Sequence, residues 1–148
     1  GRAARRLERR LGRIEGEAIK PVDLVISAHA NRVAVTDGHM VCLSIELDQK
    51  PSLKDAIKAL RDYQAPEISR DLPSAPRPVM VVRDEPDRPQ PRLDRSSGKG
   101  MTTVVGRVRP DPLFDVKLVV LSHNTIRGAA GGSIYNAELL VKLGYVTE

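Results

Sequence analysis

The distribution of proline constrains the fold of this 148-residue chain more than any other feature. Seven of its eleven prolines lie between Gln64 and Gly98. Proline removes a backbone donor and breaks helices, so this segment cannot form a long helix. It is either a disordered linker or an ordered, extended excursion across the surface. One short strand, Val79 to Val82, is expected within it.

Two strands are expected before the proline-rich segment. The apolar stretch from Asp23 to Ala28 is typical of a buried strand. A turn at residues 36–38 then precedes a run, residues 39–47, in which apolar and mostly polar positions alternate. This period of two predicts a strand with one apolar face. The apolar positions are Val41, Leu43, Ile45 and Leu47.

Two helices are also expected before the proline-rich segment. Apolar residues at helical spacing and abundant arginine indicate a basic amphipathic helix over about residues 2–14. The second helix has a clear start, because Ser52 is a good N-cap and Asp55 follows it at a capping-box spacing. Its apolar stripe is Leu53, Ile57 and Leu60, and it should end near Tyr63.

The last third of the chain again has patterns typical of regular secondary structure. Residues 101–109 predict a strand, Asp111-Pro112 a turn, and residues 114–122 a buried strand. A helix should follow from about Thr125 to Leu143, capped by Asn124 or Thr125. The order of elements indicates an α/β or α+β domain with a mixed, mostly antiparallel sheet and packed helices.

Composition excludes several classes of protein. Aromatic residues make up only 3%, and no apolar run is long enough to span a membrane. The net charge is +5, and residues 1–20 hold seven basic and three acidic side chains. We interpret this excess as a solvated helix face rather than a nucleic-acid-binding arm, which usually carries interleaved aromatics.

The single cysteine and the three histidines limit metal and redox chemistry. One cysteine, Cys42, allows no internal disulfide, which fits a reducing, cytoplasmic setting. We expect Cys42 to be a small core residue, as free cysteine usually is. The spacing of His29, His39 and His123 is not that of zinc ligands, so no metal is expected.

The first candidate site lies in residues 31–39, NRVAVTDGH. Arg32 precedes a strand-like run, and His39 follows a tight turn on the apolar side of its strand. The simpler interpretation is a core histidine beside a surface arginine. The alternative is acid/base chemistry on an anionic substrate, since an arginine fork can bind a carboxylate and a histidine titrates near neutral pH.

The second candidate site is residues 122–140, SHNTIRGAAGGSIYNAELL. Glycines at positions 128, 131 and 132 each cost a helix about 1 kcal/mol relative to alanine. Either they allow close packing, or they let a cofactor approach the helix start beside the Asn124 amide. This is not a Rossmann fingerprint, because no βαβ unit surrounds it.

Three stretches together resemble aspartate-semialdehyde dehydrogenases of the archaeal and fungal type. They are ISAHANRVAVTDGH, LPSAPRPVMVVRDEPDRPQPRLD and GMTTVVGRVRPDPLFDVKLVVLSHNTIRGAAGGSIYNAELLV. The resemblance implies a C-terminal domain like that of glyceraldehyde-3-phosphate dehydrogenase, without the Rossmann domain. It also favours an ordered proline-rich segment near the dimer interface. Residues 1–148 would be the catalytic and dimerisation domain, with residues 122–143 packing on the missing nucleotide-binding domain.

The resemblance also implies a reaction and its residues. Family members reduce aspartyl phosphate with NADPH to aspartate semialdehyde and phosphate, through a thioester on a cysteine, as homo-oligomers (dimers or tetramers). They act in lysine, threonine and methionine biosynthesis. By the family's motifs His39 is the acid/base histidine, Arg32 binds the substrate carboxylate, and Asn124 lies beside the nicotinamide end of NADP.

The chain departs from the family pattern in ways that leave alternatives open. The catalytic cysteine in its Asn-Cys context is absent from the sequence, and Cys42 is not that nucleophile. We therefore expect a fragment that is inactive alone. A malonyl-CoA reductase of the same family, a non-catalytic dimerisation or interaction domain, and, last, a nucleic-acid arm are the other hypotheses.

Overall fold

The computed structural model describes Glu8 and residues 11–146. The chain divides into two compact units, Gly1–Ala34 and Val35–Glu148. In the part of the chain that the structure describes, no helix is long and apolar enough to cross a bilayer.

The first unit contains a short hairpin. Strands β1 (Arg13–Glu15) and β2 (Ala18–Lys20) pair antiparallel. Gly16 turns between them at φ +62°, a conformation that glycine adopts without strain. The predicted helix over residues 2–14 lies mostly outside the described residues, but its end is wrong. Residues 13 and 14 are in β1 because the hairpin turn follows at once.

The predicted strand from Asp23 to Ala28 is also wrong. The structure shows irregular backbone there, with Val25 fully exposed and Leu24 46% exposed. A strand exists only through hydrogen bonds to a neighbouring strand, and among the described residues this segment pairs with none. The apolar pattern therefore predicted burial that the described residues do not provide.

The second unit is built on a four-stranded mixed sheet, as predicted. Its strands are β3 (His39–Ile45), β4 (Met80–Arg83), β5 (Thr103–Pro110) and β6 (Val116–Ser122), in the order β3-β6-β5-β4. Strand β6 pairs antiparallel with β3 and β5, whereas β4 pairs parallel with β5. The predicted strands in this unit are confirmed to within a few residues.

Helix α1 (Leu53–Asp62) begins where the sequence predicts. The Ser52 hydroxyl accepts a hydrogen bond from the Asp55 N–H at 3.1 Å. Ala56 and Leu60 pack against one face of the sheet, whose buried residues there are Val105, Val116 and Leu118. The terminal helix has two parts, a π-helical segment (Ile126–Ala130) and α4 (Gly131–Lys142).

The proline-rich segment has more structure than an extended excursion. It contains α2 (Glu67–Arg70), α3 (Pro91–Asp94) and a 3₁₀ turn (Ser97–Gly100) around β4. Several of its residues are buried, among them Leu72 and Asp94. The Arg88 carbonyl lies so close to Gly106 that a Cβ there would be 2.4 Å from it. The segment therefore covers the face of the sheet opposite α1.

Candidate functional site

His39 is the first residue of β3 and lies at one end of the sheet. It pairs in register with Ser122, the last residue of β6. Its side chain is exposed and lies on the same face as Val41, Leu43 and Ile45, as the alternation predicts. An imidazole at the edge of the sheet with access to solvent can exchange protons with a bound molecule.

The turn before His39 is tied to the start of the terminal helix. The Gly38 N–H donates to Asn124 Oδ1 at 2.8 Å, and Gly38 is itself buried with φ +110°. Thr125 Oγ1 lies 3.4 Å from Asp37 Oδ1. The structure thus brings His39 and Asn124, from the two candidate sites, to the same end of the sheet.

The His123 side chain contacts the backbone at the start of the terminal helix. The Ile126 N–H donates to His123 Nδ1 at 3.4 Å, and Thr125 Oγ1 is 3.2 Å from the same nitrogen. The imidazole is buried and 7% exposed. Thr125 is the N-cap residue, as predicted, but its side chain makes no cap hydrogen bond, and the Asn124 amide is occupied at Gly38.

The glycines of the helix mainly allow close packing. A Cβ on Gly131 would lie 2.5 Å from Met101 Sδ, and one on Gly132 would lie 2.4 Å from the Arg127 carbonyl. A Cβ on Gly128 would meet only the His123 carbonyl, at 3.7 Å. Packing therefore accounts for two of the three glycines, and open space remains only beside Gly128.

A third segment, which sequence reasoning missed, borders the same site. A Cβ on Gly38 would lie 3.4 Å from Pro91 Cβ and 3.7 Å from Arg95 Cβ. Gly100, from the same segment, similarly faces His123 and Ile126. No local pattern signals these contacts, because they join residues that are distant in the chain.

A buried carboxylate fixes that third segment in place. Asp94 is 0% exposed and accepts hydrogen bonds from the Arg88 guanidinium and from the Gln90 N–H at 2.7 Å. Arg83 Nε lies 3.4 Å from the same carboxylate. The Arg88 hydrogen bond, more than any other contact, holds the pKa of Asp94 below its ordinary value, against the opposing effect of burial.

Arg32 and Cys42 complete the set of predicted residues. Arg32 is exposed in an irregular part of the Gly1–Ala34 unit, and its proximity to His39 stays a prediction. Cys42 is exposed, so the prediction that it is a core residue is wrong. It lies on edge strand β3, on the face opposite His39, where the proline-rich segment does not cover it.

The site offers polar groups for an organic ligand rather than for a metal. No group of three or more His, Cys, Asp or Glu side chains suitable for a metal occurs among the described residues. Asn124 is half-buried, and within that part of the chain its Nδ2 has no hydrogen-bond acceptor. An amide donor and a titratable imidazole therefore lie at one end of the sheet.

Comparison with known proteins identifies what this arrangement resembles. Residues 7–127 match the family described as semialdehyde dehydrogenase, dimerisation domain. An aspartate-semialdehyde dehydrogenase from Archaeoglobus fulgidus is 47% identical over 132 residues, which cover 89% of this chain and 37% of that protein. One from Aspergillus fumigatus is 49% identical over 128 residues, 83% of this chain and 35% of that protein.

Solved structures agree with the sequence comparison. The crystal structure of aspartate semialdehyde dehydrogenase with NADP from Candida albicans superimposes with a TM-score of 0.84 at 43% identity, covering 94% of this chain and 41% of that one. The corresponding enzyme II from Vibrio cholerae gives a TM-score of 0.58 at 25% identity, covering 75% of this chain and 29% of that one. The chain thus spans a little over a third of the length of the curated relatives it matches.

Proposed function

Because this chain belongs to the semialdehyde dehydrogenase family through its dimerisation domain, we propose that it is the catalytic and dimerisation part of an NADP-dependent aspartate-semialdehyde dehydrogenase. The observation that carries the proposal is the hydrogen bond between Gly38 and Asn124, which unites the His39 turn with the start of the terminal helix. We call the polypeptide in which a nucleotide-binding domain accompanies this chain the full-length enzyme.

The proposed reaction is reduction of aspartyl phosphate to aspartate semialdehyde and phosphate through a thioester, in amino-acid biosynthesis. His39 accepts the proton of the nucleophilic thiol and returns a proton at the thiohemiacetal stage. Its exposed position at the end of β3 suits this role, because the imidazole must exchange protons with both substrate and solvent. The thiol itself comes from outside this chain.

Arg32 is proposed to bind the substrate carboxylate. Its guanidinium presents a planar pair of donors that match the two oxygens of a carboxylate. Arg32 is exposed, and the Gly1–Ala34 unit shows no acidic partner for it among its described residues. A free guanidinium fits recognition of an anionic substrate.

Asn124 fits the nicotinamide end of NADP. With its oxygen bound to Gly38, the amide directs its nitrogen away from the turn as a hydrogen-bond donor. NADPH would supply the hydride for the reduction, and this chain would help to bind and orient the cofactor. The Candida albicans relative was solved with NADP, which supports the choice of cofactor.

Helix α4 is proposed to pack on the nucleotide-binding domain, which would assign residues 122–143 to that contact. One side of α4 is anchored to its own unit, since the Tyr135 hydroxyl donates to the Ser69 carbonyl at 3.0 Å. The adjacent face exposes Ile134 (56%) and Val141 (58%). Exposed apolar residues on one face of a helix are typical of a contact surface.

Activity of the full-length enzyme tests the proposal. The purified protein should reduce NADP when given aspartate semialdehyde and phosphate, and it should elute as a dimer or tetramer. Turnover only with malonyl semialdehyde and coenzyme A would instead assign a malonyl-CoA reductase. A folded oligomer that reduces NADP with neither substrate pair would indicate a non-catalytic dimerisation domain and contradict the proposal.

A further inference from the structure

Strand β3 begins at His39, so its backbone pairing with β6 does not include Gly38, the last residue of the preceding turn. His39 pairs with Ser122, so in antiparallel register the residue opposite Gly38 would be His123. His123 lies beyond the end of β6, and its carbonyl accepts a hydrogen bond from the Gly128 N–H at 3.0 Å in the following helix. The ladder therefore offers no backbone acceptor to the Gly38 N–H.

The Asn124 side chain takes the place of that missing acceptor. Its Oδ1 accepts the Gly38 N–H at 2.8 Å, which prolongs the pairing by one hydrogen bond beyond His39. Gly38 is buried, so water is a poor substitute for this acceptor. Gly38 has a φ of +110°, a conformation that glycine adopts without strain.

We propose that Asn124 is a positioning residue for His39, in addition to its proposed contact with the cofactor. One amide would then hold both the turn before His39 and the cofactor. The inference rests on the proposed function for the roles of His39 and NADP. The oxygen of the amide fixes the backbone from which His39 extends, and this hydrogen bond also fixes which way the amide nitrogen points. Loss of the oxygen therefore displaces the imidazole, whereas loss of the nitrogen affects only the cofactor.

Two substitutions separate the two ends of the amide. Asn124→Asp keeps an acceptor for the Gly38 N–H but has no donor. Asn124→Ala removes both. Asn136→Ala, at an exposed asparagine on the face of α4 directed away from Ile134 and Val141, is the matched control for removing an amide elsewhere in the unit.

The hydrogen bond is measured in the 148-residue chain without substrate or cofactor. With ¹⁵N-glycine labelling, the Gly38 amide should exchange with solvent about tenfold faster in Asn124→Ala, a change expected when one hydrogen bond is lost. Asn124→Asp and Asn136→Ala should exchange within about twofold of the parent chain. Equal exchange at Gly38 in Asn124→Ala and the parent would overturn the inference, because the amide would then not hold the turn.

The consequence for His39 is measured in the full-length enzyme. Rates are compared on the plateau of each variant's pH profile. The reason is that the carboxylate introduced by Asn124→Asp favours the protonated form of a nearby imidazole such as that of His39. Asn124→Ala should lower kcat by about 10²-fold, as small misplacements of catalytic groups do. Asn124→Asp should keep kcat within about threefold and raise the KM for NADP by about tenfold or more, because it loses the donor.

The possible outcomes separate this inference from the proposed function. Equal loss of kcat in Asn124→Asp and Asn124→Ala, with normal activity of Asn136→Ala, would overturn the positioning role and leave the dehydrogenase assignment standing. An inactive but folded parent enzyme would overturn the proposed function. The exchange of Gly38 in the 148-residue chain still decides whether Asn124 holds the turn.

Discussion

Glu138 in α4 accepts two hydrogen bonds from Ser74 in the proline-rich segment. The Ser74 N–H donates to one carboxylate oxygen at 2.9 Å, and the Ser74 hydroxyl donates to the other at 2.6 Å. The contact joins residues sixty-four positions apart. It holds α4 to the body of its unit at a position one turn from each of the exposed residues Ile134 and Val141.

Glu138→Ala should therefore destabilise the second unit and loosen the segment near Ser74. Two hydrogen bonds to a charged acceptor are lost, so we expect the free energy of unfolding to fall by about 2–3 kcal/mol. Urea denaturation measures the loss, and limited proteolysis should show faster cleavage near Ser74. Lys142→Ala, an exposed change in the same helix, is the control. Equal stability and equal cleavage of the two variants would contradict the role of Glu138.

Asp94→Asn should reveal the buried ion pair, because the stability that the variant loses should depend on pH. The substitution keeps the shape of the side chain but leaves Arg88 without its counter-charge, and we expect a loss of about 3 kcal/mol at neutral pH. The lowered pKa means that the folded chain holds the Asp94 proton less tightly than the unfolded chain. The stabilisation is therefore complete above the ordinary carboxyl pKa, near 4, and is lost as the pH falls through the lower, folded value.

The measurement for Asp94 is the free energy of unfolding of parent and variant from pH 7 downwards. The difference between them should stay constant to about pH 5 and shrink below about pH 4. Asp84→Asn, at an exposed carboxylate bound to Arg61, is the comparison and should cost less than about 1 kcal/mol. A difference at Asp94 that is independent of pH would contradict the ionic role.

Some elements could be predicted from sequence because their signals are local. The start of α1 depends on Ser52 and Asp55, three positions apart, and the structure contains that hydrogen bond. Strand β3 was recognisable because its alternation of apolar and polar residues is independent of its partner. In both elements the residues that define the structure are neighbours in the chain.

The errors share a different origin, in contacts between distant residues. The stretch from Asp23 to Ala28 has the composition of a strand but no partner strand among the described residues. Cys42 is exposed because β3 is at the edge of the sheet, and position in the sheet is not encoded in the strand itself. The approach of Arg95 to Gly38 depends on the path of the whole proline-rich segment.

The 148-residue chain alone should not catalyse the proposed reaction. Its only cysteine, Cys42, lies on the face of β3 opposite His39 and cannot serve as the thiol that His39 deprotonates. Absorbance of NADPH, followed with aspartate semialdehyde, phosphate and NADP, should not rise above the blank. Turnover that co-purifies with the chain and disappears in His39→Asn would contradict this prediction.

Arg32→Lys in the full-length enzyme should weaken substrate binding as well as turnover. Lysine keeps the positive charge but loses the planar pair of donors that matches a carboxylate. We expect the KM for aspartate semialdehyde to rise by about tenfold, with a smaller fall in kcat and an unchanged KM for NADP. Arg13→Lys, in β1 of the same unit, is the control. An unchanged KM for the semialdehyde in Arg32→Lys would show that Arg32 does not bind the substrate.

The most direct test of the account is the turnover of His39→Asn in the full-length enzyme. Asparagine keeps a polar side chain at the exposed start of β3 but cannot exchange protons, so the fold should be retained. We predict that kcat falls by about 10²–10⁴-fold, with a smaller effect on the KM for the semialdehyde. His29→Asn, an exposed histidine, is the matched control and should keep parental kcat. Parental kcat in a folded, oligomeric His39→Asn enzyme would contradict the assignment of His39 as the acid/base residue.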